Sequence, residues 1–203
     1  MVTKGGKRSD DANSRAGRNA YSHLRNLCDK EVLPVLKMQG MIGLAVFDIE
    51  DGKQLGKVHD FILGEDWSVQ GFELEGKGLF SLQVRTILWE DIVSHGEDAI
   101  MIRNQQAVRQ VAADDIKHTF LLGDSKIKDM PVLTSEGARL GYVSDVYFNP
   151  ELGKSITGIE ISDGFISDLI GGRKWLPVSS QIAFGESAIL APMASDQRLE
   201  ECL

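Results

Sequence analysis

GKQLGKVHDFIL (52–63) and GARLGYVSDVYF (137–148) are two copies of one pattern, and their reading decides the fold. Gly52/Gly137, Leu55/Leu140, Gly56/Gly141, Val58/Val143 and Asp60/Asp145 match at a constant offset of 85 residues. Further on, SVQGFELE (68–75) lies over SITGIEIS (155–162) at an offset of 87, matching Ser68/Ser155, Gly71/Gly158 and Glu73/Glu160. GEDAI (96–100) then lies over GESAI (185–189) at an offset of 89. The offset grows only between apolar segments, as loop insertions make it do, so the chain holds two copies of one unit.

Each unit reads as β-structure. VHDFIL and VSDVYF, like VQGFEL and ITGIEI, are dense in branched and aromatic residues and are punctuated by turn formers. Asp51-Gly52 and Glu136-Gly137 suit tight turns, because glycine accepts positive φ without steric cost. Gly56 and Gly141, at the start of the following strand, point to a bulge or a close backbone approach. Five or six short strands in about 65 residues favour a small antiparallel barrel, closed or partly closed, since closure hides sheet edges.

Between the units, NQQAVRQVAADDIK (104–117) lacks β-branched density, and Ala107, Val111 and Ile116 fall at helical spacing, which predicts a short linker helix. Upstream, Leu24, Leu27 and Cys28 are spaced for a helix over 20–33 that Pro34 ends. The expected organisation is therefore a basic arm over 1–40, a first barrel over 41–103, a linker over 104–125, a second barrel over 126–193 and a tail over 194–203.

Composition narrows the functional classes. The 203 residues are 42% hydrophobic and 26% charged, with a mean hydropathy of −0.12 and a net charge of −8. Residues 1–40 hold eight Lys/Arg against four Asp/Glu, a net of +4, which leaves −12 on the remainder. An acidic body is a poor generic phosphate binder, since nucleic-acid affinity comes largely from lysine and arginine displacing counterions. The basic arm is the one segment suited to an anionic partner, against the simpler reading of a solvated tail. A transmembrane helix needs about 20 apolar residues, whereas the longest apolar run, Met41 to Phe47, is seven residues and includes a glycine. A cytoplasmic location is expected. Cys28 and Cys202 stand near opposite ends with no CxxC spacing, and His23, His59, His95 and His118 are scattered, so neither a disulfide framework nor a metal site is expected.

Few residues invite a chemical reading. Asp60 and Asp145 each interrupt an apolar strand at the same place, and alternation puts Asp60 on a face with Val58 and Ile62, and Asp145 with Val143 and Tyr147. Each suits a catalytic acid or base if buried, or an acceptor of backbone N–H bonds that fixes a bulge. Recurrence in both copies favours the architectural role, because an architectural need repeats where a unique active site does not. Glu73 and Glu160 read as outward-facing strand residues. Gly171-Gly172 before Arg173 and Lys174 offers glycine backbone followed by cations, a feature that can cradle a phosphate, though a turn with solvated cations is simpler. Trp89 and Trp175 lie in late segments of the two units, beside Arg85 and Arg173–Lys174; core packing is the default for either ring, because a small barrel needs bulk, and an aromatic beside cations is a common interface anchor when exposed.

The repeated pattern resembles the PRC-barrel domain, found in the cytoplasmic part of the photosynthetic reaction centre H subunit and at the C-terminus of the ribosome maturation factor RimM. DGKQLGKVHDFIL carries the likeness in the first copy, and EGARLGYVSDVYF, SITGIEI and DLIGGRKWLPVSSQI (168–182) carry it in the second. In the first copy SLQVRTILWED stands where the second has GGRKWLP. The resemblance implies two tandem barrels, with Gly52, Gly56, Asp60, Gly71, Gly137, Gly141, Asp145 and Gly158 as structural repeat positions. It implies a binding or assembly module and no particular reaction; together with the acidic body and the missing catalytic constellation, this makes a non-enzymatic module without cofactor the first expectation, binding a protein partner or a second copy of itself, with the aromatic-beside-cation residues Arg173, Lys174, Trp175 and Trp89 as the candidate contacts. Fold alone fixes no function. The alternatives are a ribosome- or RNA-processing-associated factor using the arm, a photosynthetic-complex or peripheral membrane role through 20–38, and an enzyme using Asp60 or Asp145, which needs a pocket joining one of them to a second titratable group.

Overall fold

In the computed structural model, residues 35–76, 82–151, 155–164, 172–179, 181–192 and 200–201 are described. The expected helix over 20–33 and both cysteines lie outside them. Among the described residues, the one α-helix is α1 (Met38–Met41), preceded by β1 (Leu36–Lys37). The first repeat supplies β2 (Ala45–Asp48), β3 (Gln54–Leu63), β4 (Val69–Leu74), β5 (Gln83–Leu88), β6 (Ile92–His95), β7 (Ala99–Ile102) and β8 (Arg109–Ala112). β9 (His118–Thr119) leads into the second, which supplies β10 (Pro131–Thr134), β11 (Arg139–Phe148), β12 (Ile156–Ser162), β13 (Lys174–Pro177), β14 (Ala183–Phe184), β15 (Ile189–Ala191) and β16 (Glu200–Glu201).

The two sheets are built alike. One runs β6-β7-β2-β3-β4-β5-β8 and the other β14-β15-β10-β11-β12-β13-β16, the same order strand for strand. Most pairs are antiparallel, but β2 pairs β7, and β10 pairs β15, in parallel. The all-antiparallel expectation is therefore corrected: the final hairpin of each repeat returns along the outer side of its first strand. The hydrogen-bonded path is open among the described residues, with β6 and β8 at the ends of one sheet and β14 and β16 at the ends of the other.

The expected linker helix is also corrected. Residues 104–117 form two 3-10 turns, Gln105–Ala107 and Ala113–Asp115, flanking β8, which pairs along β5. Weak helical spacing loses here because β5 would otherwise leave an edge of unpaired N–H and C=O groups, and β8 takes them. Within the expected tail, Glu200–Glu201 repeats the arrangement against β13.

The repeated glycines have separate jobs. Gly52 and Gly137, at φ 66° and 87°, make the tight turns. Val46 pairs with Gly56 and Phe47 with Gln54, so Leu55 is the extra residue of a bulge; Leu140 is its counterpart between the pairs Val132–Gly141 and Leu133–Arg139. Gly71 and Gly158 allow close approach. A Cβ on Gly71 would strike the Ile87 carbonyl, and one on Gly158 would strike the Trp175 indole.

The lead-in strands are exchanged between repeats. β9, which precedes the second repeat, pairs with the end of β3, Ile62 facing Thr119 and Leu63 facing His118. β1, which precedes the first repeat, pairs with the end of β11, Lys37 facing Tyr147 and Leu36 facing Phe148. Each ten-residue central strand outlasts its four-residue neighbour, and the other repeat's lead-in covers the remainder. Both repeats accordingly lie in one compact unit, Pro34–Leu203, with a common core. Phe148 makes edge contacts with Phe61 at 5.8 Å and with Trp89 at 5.0 Å. Trp67 stacks on His118 at 4.1 Å and on Phe184 at 5.1 Å, tying a loop of the first repeat to the lead-in and to a late strand of the second.

Candidate functional site: two equivalent carboxylate clasps and their clefts

Both repeated aspartates sit directly after a second bulge. Val58 pairs with Leu74 and Asp60 with Glu73, which leaves His59 as the extra residue; Val143 pairs with Ile161 and Asp145 with Glu160, which leaves Ser144. The extra residue shifts the alternation, so Asp60 faces away from Val58 and Asp145 away from Val143, contrary to simple period-two counting. The expectation of outward-facing Glu73 and Glu160 is corrected too. All four carboxylates are buried, because the other repeat's lead-in lies over this face.

Each aspartate clasps that lead-in. Asp60 accepts hydrogen bonds from the backbone N–H groups of Phe61 (2.7 Å), Leu121 (2.8 Å) and Leu122 (2.8 Å). Asp145 accepts from the N–H groups of Val146 (2.8 Å) and Gln39 (3.0 Å), with the Lys37 ammonium 3.7 Å away. Burial pushes both aspartates above the usual carboxylate range, outweighing the N–H donors that favour the ionised form. The neighbouring Glu73 and Glu160 charges push the same way.

The surroundings then diverge. Beside Asp60 lies a cleft of about 380 Å³ in which Glu73, Asp114 and Asp124 face one cation, Lys117. This cleft does join Asp60 to other titratable groups, as an enzymatic reading requires, yet both Asp60 oxygens are engaged by backbone N–H groups. Beside Asp145 the equivalent cleft, about 450 Å³, is lined by Lys37, Gln39, Gly40, Lys128, Ser144, Asp145 and Arg173. One wall is acidic and the other basic, on the same scaffold.

Glu160 organises the basic side. It accepts from Lys37 Nζ (2.7 Å), Arg173 Nη1 (2.8 Å), Ser144 Oγ (2.9 Å) and the Tyr147 hydroxyl (2.9 Å). Burial alone would raise its pKa, but these four donors together hold it down at about 2. Tyr147 is pushed up to about 12, first by burial and then by donating to Glu160. For Lys37 burial pulls down, and the Glu160 contact more than reverses this, leaving the ammonium above its ordinary value. The Lys37 ammonium also stands 5.4 Å from the Tyr147 ring centre.

The anchor residues separate. Arg173, half-exposed, pairs with Glu160; Lys174 pairs with Asp163 at 2.8 Å; and Trp175, half-buried, lies across Gly158. Gly171 lies outside the described residues, and the two cations after it pair with carboxylates while staying partly exposed to water. Trp89 is not an equivalent anchor. It is buried against Phe148, and pairing with β4 and β12 aligns Trp175 with Thr86, both opposite the repeated glutamate. Lys37, Lys128, Ser144, Tyr147 and Trp67 had no individual signal in the sequence: the exchanged lead-ins bring Lys37 to Glu160 and His118 to Trp67, while the bulged pairing of β11 with β12 sets Ser144 and Tyr147 on Glu160. Among the described residues, no group of three or more His, Cys, Asp or Glu side chains is placed to hold a metal ion, and no helix is long and apolar enough to cross a membrane.

The comparison with curated proteins gives no match. A model of the PRC-barrel domain matches residues 40–109 and 121–198, which are the two repeats. With most of its length so matched and the strand order identical in both copies, the chain belongs to the PRC-barrel family as a tandem pair.

Proposed function

We propose that this tandem PRC-barrel protein is a non-enzymatic, cytoplasmic binding or assembly module, and that the face of Arg173, Trp175 and Tyr147 contacts its protein partner. One observation carries the reading: a single buried carboxylate, Glu160, holds Arg173, Tyr147 and Lys37 in fixed positions on one face while each remains partly exposed. Tyrosine, tryptophan and arginine dominate interface hot spots, and side chains fixed beforehand lose less entropy on binding. The two aspartates support the non-enzymatic part, since their oxygens hold backbone N–H groups of the lead-ins.

Affinity capture from a native bacterial lysate, with and without nuclease, tests the reading when run beside an Arg173→Ala/Trp175→Ala variant. A defined protein, or a second copy of the chain, retained after nuclease and lost with the variant is the expected result. Equal retention by a folded variant removes this face from the interface. Ribosomal material released by nuclease would move the reading to an RNA-linked role centred on the basic arm.

A further inference from the structure

The second repeat has an outer face that neither clasp uses. Cross-strand partners share a face of their sheet, and the register lines up Ala183, Leu190, Leu133 and Arg139 in one row across β14, β15, β10 and β11. Pro131 and Tyr142 pair in the next row. The residues that alternate with these, Val132, Thr134 and Ile189 among them, are buried, so the rows point away from the core. Leu190 keeps 47% of its surface exposed and Tyr142 keeps 42%. Arg139 donates from Nη1 to the Tyr142 hydroxyl at 2.9 Å, and its guanidinium stands 5.2 Å from the ring centre. Tyrosine and arginine are enriched at interface hot spots, and two side chains already held together lose less entropy on contact.

The scaffold does not require this pair. At the same places in the first repeat, Phe47 faces Gln54 and Ala45 faces Lys57, and Met101, which stands where Leu190 does, is half-buried. Charge indicates what covers the face. The turn leading into β11 carries Glu136, whose carboxylate accepts from the Ser135 hydroxyl at 2.7 Å. Among the described residues neither Glu136 nor Arg139 has an ion-pair partner. An apolar centre with one cation and one carboxylate at its rim is complementary to itself. A two-fold axis through it brings Glu136 of each copy to Arg139 of the other, so every contact is made twice. A purely acidic or purely basic partner would satisfy only one of the two charges.

We propose that this face joins two copies of the chain in an isologous dimer, with Tyr142 and Leu190 at its centre and Glu136–Arg139 pairs at its rim. The dimer face is separate from the one around Arg173 and Trp175 and does not rest on it. Its few side chains fall short of the roughly 20–30 residues a side found in stable interfaces, so the dimer dissociates on dilution through the micromolar range.

Sedimentation equilibrium of the full chain, from about 1 to 300 μM, is the test. The average mass should rise with concentration from 22.3 kDa toward twice that. Leu190→Glu, which sets a charge at an exposed position and leaves the core intact, should weaken the dimer about tenfold or more. Arg139→Glu and Glu136→Arg should each weaken it, and the two together should restore it, because the exchanged charges meet again across the axis. Circular dichroism checks the fold of each variant. A monomer at every concentration, a dimer untouched by a folded Leu190→Glu, or a double variant no tighter than its single variants overturns the proposal. A chain that stays monomeric but captures a different protein through Leu190 also overturns it, and assigns the face to that partner. Arg173→Ala/Trp175→Ala should stay dimeric, which leaves the contact face to another protein. A dimer lost with that variant and kept with Leu190→Glu places the second copy on the contact face and overturns the one proposed here.

Discussion

Asp60→Asn replaces one atom and should cost the fold about 2–4 kcal/mol. The carboxylate receives three backbone N–H groups at 2.7–2.8 Å, two on Oδ1 and one, from Leu122, on Oδ2. Hydrogen bonds to a charged acceptor contribute roughly 1.5–3 kcal/mol each, against about 0.5–1.5 for neutral ones. An amide keeps the two bonds to its oxygen in weaker form and turns its NH₂ toward the Leu122 N–H, so that donor meets donor. Relief from burying a charge offsets part of the loss, because Asp60 is pushed above the usual carboxylate range by burial. For a unit of this size each kcal/mol lowers Tm by about 2–4 °C, so the variant should melt roughly 4–16 °C below the parent. Urea unfolding followed by tryptophan fluorescence is the suitable assay, since Trp67 and Trp89 lie in the first repeat and Trp175 in the second. The shared core and exchanged lead-ins require one transition, shifted as a whole. A loss below about 0.5 kcal/mol, or a first repeat that melts alone while the second persists, would refute the clasp.

Three further outcomes follow from the same geometry. Glu160 is held at about 2 in the folded protein against an ordinary 4.5, so its stabilisation is complete above pH 4.5 and is lost as pH falls toward 2; Glu160→Gln should flatten that acid limb in stability-against-pH curves, by about 2 kcal/mol after allowance for its half-exposed cationic partners. Gly71→Ala should cost about 3 kcal/mol or more in urea unfolding, because its Cβ meets the backbone of Ile87 and Leu88, whereas Gly158→Ala should cost less and shift Trp175 emission by displacing the indole. Gly40→Ala, facing open space, should leave Tm within about 2 °C or raise it slightly, since alanine favours the helix over glycine.

The repeat made most of the fold legible. Its glycine spacing marks the two turns and the bulges at Leu55 and Leu140, because a local backbone demand leaves a local residue signature. What escaped is long-range. Nothing near Asp60 indicates that its partners are Leu121 and Leu122, some sixty residues on, and nothing near Lys37 indicates Glu160. The bulges at His59 and Ser144 carry no glycine, so period-two counting placed Val58 with Asp60, and nothing near Glu73 or Glu160 shows that a distant lead-in covers their face. The segment 104–117 shows tertiary override: its propensity is weakly helical, but β5 needed an edge partner. Of the contact residues, the Arg173–Trp175 run was visible as an aromatic beside cations, while Trp89 shared that description and went to the core.

The exchanged lead-ins also set a schedule for synthesis. Leu36 and Lys37 emerge early, yet their partners Phe148 and Tyr147 are made more than a hundred residues later. At roughly 5–20 residues per second, the wait is on the order of 5–20 seconds. Met38 and Met41, buried in the finished protein, remain uncovered through that interval. The nascent chain therefore exposes apolar surface longer than a string of self-contained barrels would.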